Sequence, residues 1–297
     1  MIPVCWHAME EGRGYFDCTA FLNSMFDLYE CAHYGAWYSM PEDIEGAVVV
    51  VHGGREHGRI DKLNEDIAKL KWCLIVAIGD EESTFPLEKI EHANKKIWVQ
   101  EPIPGRHDFA DRFLIDGYGH DHARHIVECE KDLLWFFGGQ VSHERRVACV
   151  DALRKINWGG IVLETRGYHQ GIPYGDYMRL LCRAKIVPCP SGPFSPDAAR
   201  VWDSLECRAI PVLDDMSPTR KEPGFWQYVL GRHPFPMVVD WSTLPELIEK
   251  LKAENIELRA KECVEFWCAY KWKFSFWLKT DLKELGVECT RTSLRSL

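Results

Sequence analysis

The chain has 297 residues, 46% of them hydrophobic, enough for one large domain or two of ordinary size. Its formal net charge of -9 and pI near 5.8 give no global electrostatic reason to expect DNA or an acidic membrane surface as partner, leaving only a local basic cleft for such a role. No apolar run reaches the roughly 20 residues of a membrane span, and no signal peptide opens the chain.

The twelve cysteines are dispersed through apolar segments, with no CxxC pair. They read as reduced, buried thiols of a soluble cytoplasmic protein. Cys5, Cys18 and Cys31 recur with His7 and His33 nearby, but this spacing matches no zinc template, so no metal is expected.

In chain order, short apolar runs alternate with amphipathic ones, which predicts parallel sheets covered by helices on both faces. The strands predicted are "PVCWH", "GAVVVVH", "WCLIVAIG", "KIWVQ" and "RFLID", then "DLLWFFG", "GIVLE", "KIVPCP", "AIPVL" and "MVVDW". The helices predicted are "IDKLNEDIAKLK", "SHERRVACVDALRKI", "DYMRLLCRA", "DAARVWDSLE" and "LPELIEKLKAENIEL". These form two βα series. A polar stretch from Asp121 to Lys131 divides them, giving domains over 1–125 and 126–258, and the apolar helical segment 259–297 needs burial on a neighbouring domain.

The first strand leads into "AMEEGRGYFD", where Gly12 and Gly14, with Arg13 between them, suit either a tight βα turn or a ligand loop, and Asp17 a helix cap. The second runs into "HGGREHG", placing His52 and Gly53 at a carboxyl strand end, where open α/β sheets bind ligands. The third ends in "IGDEE"; Asp80, Glu81 and Glu82 read equally as general-base candidates and as caps of a helix over "FPLEKIEHA".

In the second half, Gly138 and Gly139 precede Arg145 and Arg146, one of which can reach a ligand phosphate. The most specific stretch is "PCPSGPFSPDAARVWDSLECRAIPVL". A strand empties through a loop holding Ser191, Gly192 and Ser195 onto a helix N-terminus that Asp197 can cap, with Arg200 one turn in and Asp203 three residues later. That arrangement suits a phosphate and a ribose diol; the alternative is an i,i+3 surface ion pair.

From about Leu133 to Trp241 this half resembles the exostosin-like glycosyltransferases in "PCPSG", Arg200, Asp203, "SLECRAIPVL" and "VVDW", with "FFGG" and "GYHQGIPYGDYMRLLCRAK" before them. Asp203 stands where that family carries Glu, and Arg208 where it carries Gly. The resemblance implies a GT-B fold, two Rossmann-like domains facing across a cleft with a C-terminal helix crossing back. It also implies a nucleotide diphosphate sugar, with UDP as the nucleotide, held by Gly139, Arg145, Arg146, Ser191, Gly192, Asp197, Arg200 and Asp203. Retaining relatives carry an acid eight positions before the ribose acid, where this chain has Ser195, which favours inversion.

The base is then expected from the first domain, Glu81 and Asp80 ahead of His52 and Glu10, with Gly12, Arg13, Gly14 and Gly53 on the acceptor side. No metal or cofactor beyond the co-substrate is expected. The acceptor is a glycan, a small metabolite or a hydroxymethylated DNA base, for which "GREHGR" (Arg55, Arg59) and "HARH" supply basic residues. A nucleotide-sugar epimerase or hydrolase, or a non-catalytic binding module, are the rival readings.

Overall fold

The computed structural model describes residues 1–7, 19–37, 41–53, 60–118, 122–156, 158–167 and 170–290. The chain divides into two compact units, Met1–His120 with Tyr270–Leu297, and Asp121–Ala269. The second boundary falls inside the last helix, after Ala269 rather than after residue 258.

The first unit holds β1 (Ile2–His7), α1 (Thr19–Phe26), β2 (Cys31–Trp37), β3 (Gly46–His52), α2 (Ile60–Ile67), β4 (Trp72–Ile78), β5 (Lys95–Gln100) and β6 (Arg112–Leu114). Its sheet has the order β2-β1-β3-β4-β5-β6, parallel throughout. A central parallel strand is covered on both faces, and the run "AVVVV" of β3 is accordingly fully buried. Each amide withdrawn from water there finds its partner in a neighbouring strand.

The second unit holds β7 (Leu133–Gln140), α3 (Glu144–Lys155), β8 (Gly160–Thr165), α4 (Tyr174–Arg183), β9 (Ala184–Cys189), α5 (Ala199–Glu206), β10 (Ile210–Asp214), α6 (Phe225–Leu230), β11 (Met237–Val238) and α7 (Leu244–Ala253). Its sheet, also parallel, has the order β11-β10-β9-β7-β8.

The helix α8 (Ile256–Glu284) serves both units. "LPELIEKLKAENIEL" breaks into two helices because the Asn255 side chain accepts the Leu258 N–H at 2.9 Å and so opens a new one. In its first part Trp267 packs on Trp202 with the rings tilted by 35° and centroids 5.0 Å apart, and donates its indole N–H to Glu206 at 2.7 Å. In its second part Phe274 packs against Phe21 and Trp98, while buried Asp281 accepts from the Trp98 indole and from Arg112, each at 2.7 Å.

The predicted "FPLEKIEHA" helix is a single 3-10 turn at Leu87–Lys89. Strand β2 was not anticipated. It lies at the edge of its sheet, where His33 is exposed and no apolar alternation is required.

Candidate functional site

In a doubly wound sheet the strand order reverses where chain crossovers go to opposite faces, and the carboxyl end of that point is the natural crevice. In the second unit the reversal lies between β7 and β9. There the ladder pairs Leu133 with Ala184 and Trp135 with Ile186, then stops, whereas β9 stays paired with β10 as far as Cys189. Pro188, without an N–H, cannot contribute a ladder donor, and the β7/β9 pairing ends at Ile186, before it.

Arg200, from the first turn of α5, fills the gap. Its Nε and Nη2 donate to the Gly138 carbonyl at 3.2 and 3.0 Å, and its guanidinium lies 4.8 Å from the centre of the Phe137 ring. Gly139 has φ +154°, and a Cβ on it would stand 2.3 Å from Arg200 Nη2. The backbone conformation thus favours glycine here, and any side chain would have to push the Arg200 guanidinium aside.

The adjacent arginines have separate tasks. Arg145 forks onto the fully buried Asp214 and also donates to the Val239 carbonyl at 2.9 Å. Asp214 further accepts from the Trp241 indole at 2.9 Å and from Ser191 N–H at 3.3 Å. Arg145 thus neutralises a buried carboxylate. Arg146 donates to the Ser191 and Gln140 carbonyls at 2.9 and 3.2 Å, tying the ends of β9 and β7. His143 also donates to the Ser191 carbonyl, at 3.1 Å, and burial followed by the nearby Arg146 charge lowers its pKa.

Three polar atoms at this edge are buried without a hydrogen-bond partner among the described residues: Ser191 Oγ, Arg200 Nη1 and His143 Nδ1. Ser191 is 0% exposed. Leaving such groups unmatched costs about 1–3 kcal/mol each, which a fold does not accumulate at one edge without return. The helices α3 and α5 both open here, with N-caps His143 and Ala198 that make no side-chain capping bond. The expected cap on Asp197 is not formed. Its carboxylate instead accepts the Trp202 indole at 2.8 Å, and its N–H binds Ser195 Oγ at 3.2 Å. Gly192 N–H closes the same loop on the Ser195 carbonyl at 2.9 Å.

Asp203 is 6% exposed and accepts the Tyr174 hydroxyl at 3.0 Å. Burial pushes its pKa up to about 7, so that it changes charge near neutrality. Arg208, by contrast, precedes β10 at the amino edge of the sheet, away from the carboxyl ends just described.

The first unit is arranged differently. Its strand order reverses between β1 and β3, which end at His7 and His52. His7 pairs with buried Asp66 at 3.1 Å, and Lys62 holds the same carboxylate at 2.6 Å. His52 packs against Gly79, whose φ is +63° and where a Cβ would meet the imidazole at 2.4 Å. Asp80 closes its own turn: Oδ1 accepts the Thr84 N–H and hydroxyl at 2.8 and 3.2 Å, and Oδ2 the Phe85 N–H at 2.9 Å. The helix cap read for Asp80 is here a turn closure, since only a 3-10 turn follows, and Gly53 packs beside its side chain. Glu81 is half-buried next to it.

An acid that sequence reasoning passed over stands one residue beyond β5. Glu101 is 3% exposed, with a left-handed backbone, φ 54°. Ser83, beyond β4, shares that conformation at φ 52° and is fully buried. Non-glycine residues held there cost about 1–3 kcal/mol and cluster at functional sites. The signal available in sequence was only Glu101's place directly after the strand "KKIWVQ".

Glu10, Gly12, Arg13, Gly14, Asp17, Arg55 and Arg59 lie outside the described residues. "HARH" belongs to the second unit, where His122 pairs with Glu206 at 3.3 Å and the His125 ring meets Tyr174 edge-on. Among the described residues no cluster of three or more His, Cys, Asp or Glu is arranged to hold a metal ion, and no helix is long and apolar enough to cross a membrane.

Among solved structures, the DNA-modifying enzyme beta-glucosyltransferase, determined in the presence and absence of its substrate uridine diphosphoglucose, matches at TM-score 0.53 over 96% of this chain and 100% of that one, with 13% identity. The fold is GT-B. A mutant of the T4 phage BGT protein in complex with UDP-glucose matches at TM-score 0.46 and 12% identity, over 96% of this chain and 100% of that one. No family model matches the chain, and no curated protein matches it in sequence. The exostosin-like resemblance therefore rests on the motif residues themselves.

Proposed function

We propose that the chain is a glycosyltransferase that takes a UDP-sugar in its second unit. The observation that carries this reading is the set of unmatched donors at the β7/β9 reversal: Ser191 Oγ, Arg200 Nη1 and two helix N-termini without side-chain caps. Together they suit a diphosphate. The acceptor hydroxyl attacks the anomeric carbon, the bond from that carbon to the diphosphate oxygen breaks, and the acceptor proton passes to a base. Arg200 and the helix termini stabilise the charge that develops on the leaving diphosphate, a role that preorganised donors fill without reorganisation. Arg145, committed to Asp214, acts by holding the end of β10, and Arg146 by holding the strand ends. Asp203, with Tyr174, is suited to a ribose hydroxyl.

We place the base in the first unit and put Glu101 ahead of Glu81 and Asp80, since Glu101 is buried directly beyond a strand end on a left-handed backbone. Ser195, in place of a second acid, supports inversion at the anomeric carbon. The exostosin-like motif supports the same assignment of the donor half.

For the acceptor we favour a hydroxymethylated DNA base, in line with the DNA-modifying activity of the structural neighbour. A local feature supports a polyanion in an otherwise acidic chain: from Lys271 to Lys283 α8 carries Lys271, Lys273, Lys279 and Lys283 beside the half-exposed Trp272 and the 66% exposed Phe276, and its acid in that stretch, Asp281, is buried.

The test is transfer of labelled glucose from UDP-glucose to duplex DNA with hydroxymethylated cytosines, beside unmodified duplex and a no-acceptor control. Label on the hydroxymethylated duplex alone is expected, and Glu101→Gln should lower that rate by about 10²–10⁴-fold with UDP affinity kept. UDP release without an acceptor would favour the hydrolase reading; the absence of both transfer and release would refute the enzyme.

A further inference from the structure

Two thiols at the far ends of α4 and α5 take no part in the chemistry above. Cys182, in the last turn of α4, and Cys207, the C-cap of α5, are each 4% exposed, and their sulfurs are 3.3 Å apart. A disulfide closes at about 2.05 Å, so an approach of about 1.2 Å would join them. Their backbones are already tied together: Lys131 Nζ donates to the carbonyls of Cys182, Ala184 and Cys207 at 3.1, 2.6 and 2.9 Å.

Lys131 and Arg208 also line an open depression of about 530 Å³, floored by Ile256, Ala260 and Val264. Small solutes thereby come within one residue of Cys207. The hydrogen bond between the two sulfurs, with the Val127 backbone and the Lys131 charge, pulls the Cys182 thiol down, while the same contact and burial push Cys207 up. With Lys131 held against the carbonyls of both cysteines, one thiol of the pair can attack as the thiolate while the other keeps its proton.

We propose that Cys182 and Cys207 form a redox-modification site, at which a peroxide oxidises the dithiol to an intrachain disulfide joining the C-terminal ends of α4 and α5. In the first step the Cys182 thiolate attacks a peroxide oxygen, the O–O bond breaks, and hydroxide leaves a sulfenic acid on Cys182. In the second, Cys207 Sγ attacks Cys182 Sγ, the S–O bond breaks, and the Cys207 proton departs with that oxygen as water. Two electrons pass from the sulfurs to the peroxide, and an external dithiol returns them.

The bond has a route to the site already described. The Cys207 N–H donates to the Asp203 carbonyl at 3.1 Å, and Tyr174 at the start of α4 holds the Asp203 side chain. Drawing Cys207 towards Cys182 pulls on Asp203, so oxidation should weaken nucleotide binding, a consequence that rests on the donor reading.

The test treats the reduced full-length chain with hydrogen peroxide, blocks remaining thiols, maps peptides by mass spectrometry and titrates UDP before and after. A Cys182–Cys207 linked peptide that dithiothreitol reverses is expected, with UDP affinity reduced threefold or more in wild type and unchanged by peroxide in Cys182→Ser and Cys207→Ser. Cys182 left reduced while the exposed Cys129 and Cys268 oxidise, or Cys182 joined to Cys129, overturns the site. A disulfide without effect on UDP affinity overturns the coupling to Asp203. A disulfide in a protein that binds no UDP in either state supports the redox site and refutes the donor reading.

Discussion

The carboxyl edges of the two sheets are built from similar parts and put to different use. At the first, Asp80 accepts three hydrogen bonds from its own turn and His7 is paired with Asp66, leaving the Ser83 hydroxyl buried without a partner among the described residues. At the second, Arg200 has a buried nitrogen to spare, Ser191 a buried hydroxyl, and two helices open without side-chain caps. A charged residue at a strand end marks a place where a site can be built. Whether one is built depends on how many of its hydrogen-bonding positions the fold itself has taken up, and Arg145 beside Arg146 makes the same point within a single helix turn.

The largest expected effect comes from breaking a pair that the fold has used. Arg145→Ala leaves Asp214 buried and unpaired, which should cost about 3–5 kcal/mol of stability. Asp80→Ala, which removes a turn acceptor, should cost about 1–3 kcal/mol and leave UDP affinity as it was. Urea melts of both with UDP titrations separate structural from binding roles; a stable Arg145→Ala protein that has lost UDP would move Arg145 into the binding group.

Gly139→Ala sharpens the contrast from the other side. A methyl group 2.3 Å from Arg200 Nη2, on backbone at φ +154°, must displace the guanidinium, so the variant should lose UDP affinity about tenfold, the equivalent of about 1.4 kcal/mol. Calorimetry showing unchanged affinity would mean that Arg200 does not need this seat.

The smallest effect is a pH signature. Asp203 titrates at about 7 in the folded chain against an ordinary 3.8, so between these values the native state holds a proton that the unfolded chain has released. Its contribution to stability therefore falls as pH rises from about 4 to 7 and is level above that. Asp203→Asn should remove this slope from thermal melts. Tyr174→Phe removes a donor that favours the charged form and should extend the fall to higher pH.

Much of the fold was legible because it rests on apolar periodicity. Strand β3 coincides with "GAVVVVH", and α2 opens at the start of "IDKLNEDIAKLK". The edge strand β2 escaped notice because nothing obliges an edge strand to alternate. Of the candidate site, Gly139, Ser191 and Arg200 were visible as a glycine pair, a Pro/Gly/Ser loop and an arginine one turn into a helix. Partner choice was not: that Arg145 is drawn to Asp214, sixty-nine positions away, or Asp197 to Trp202, follows from packing that no local pattern encodes. Glu101 escaped for a related reason, since its left-handed backbone leaves no mark on the residue type.

The most direct test of the donor site is calorimetric titration of UDP into wild type and Arg200→Ala. A charge-assisted hydrogen bond is worth about 1.5–3 kcal/mol, so the variant should bind UDP about 10- to 100-fold more weakly while melting close to the wild-type temperature. Equal affinity in the two proteins, or no binding of UDP to wild type, would contradict the assignment of the β7/β9 edge as the nucleotide site.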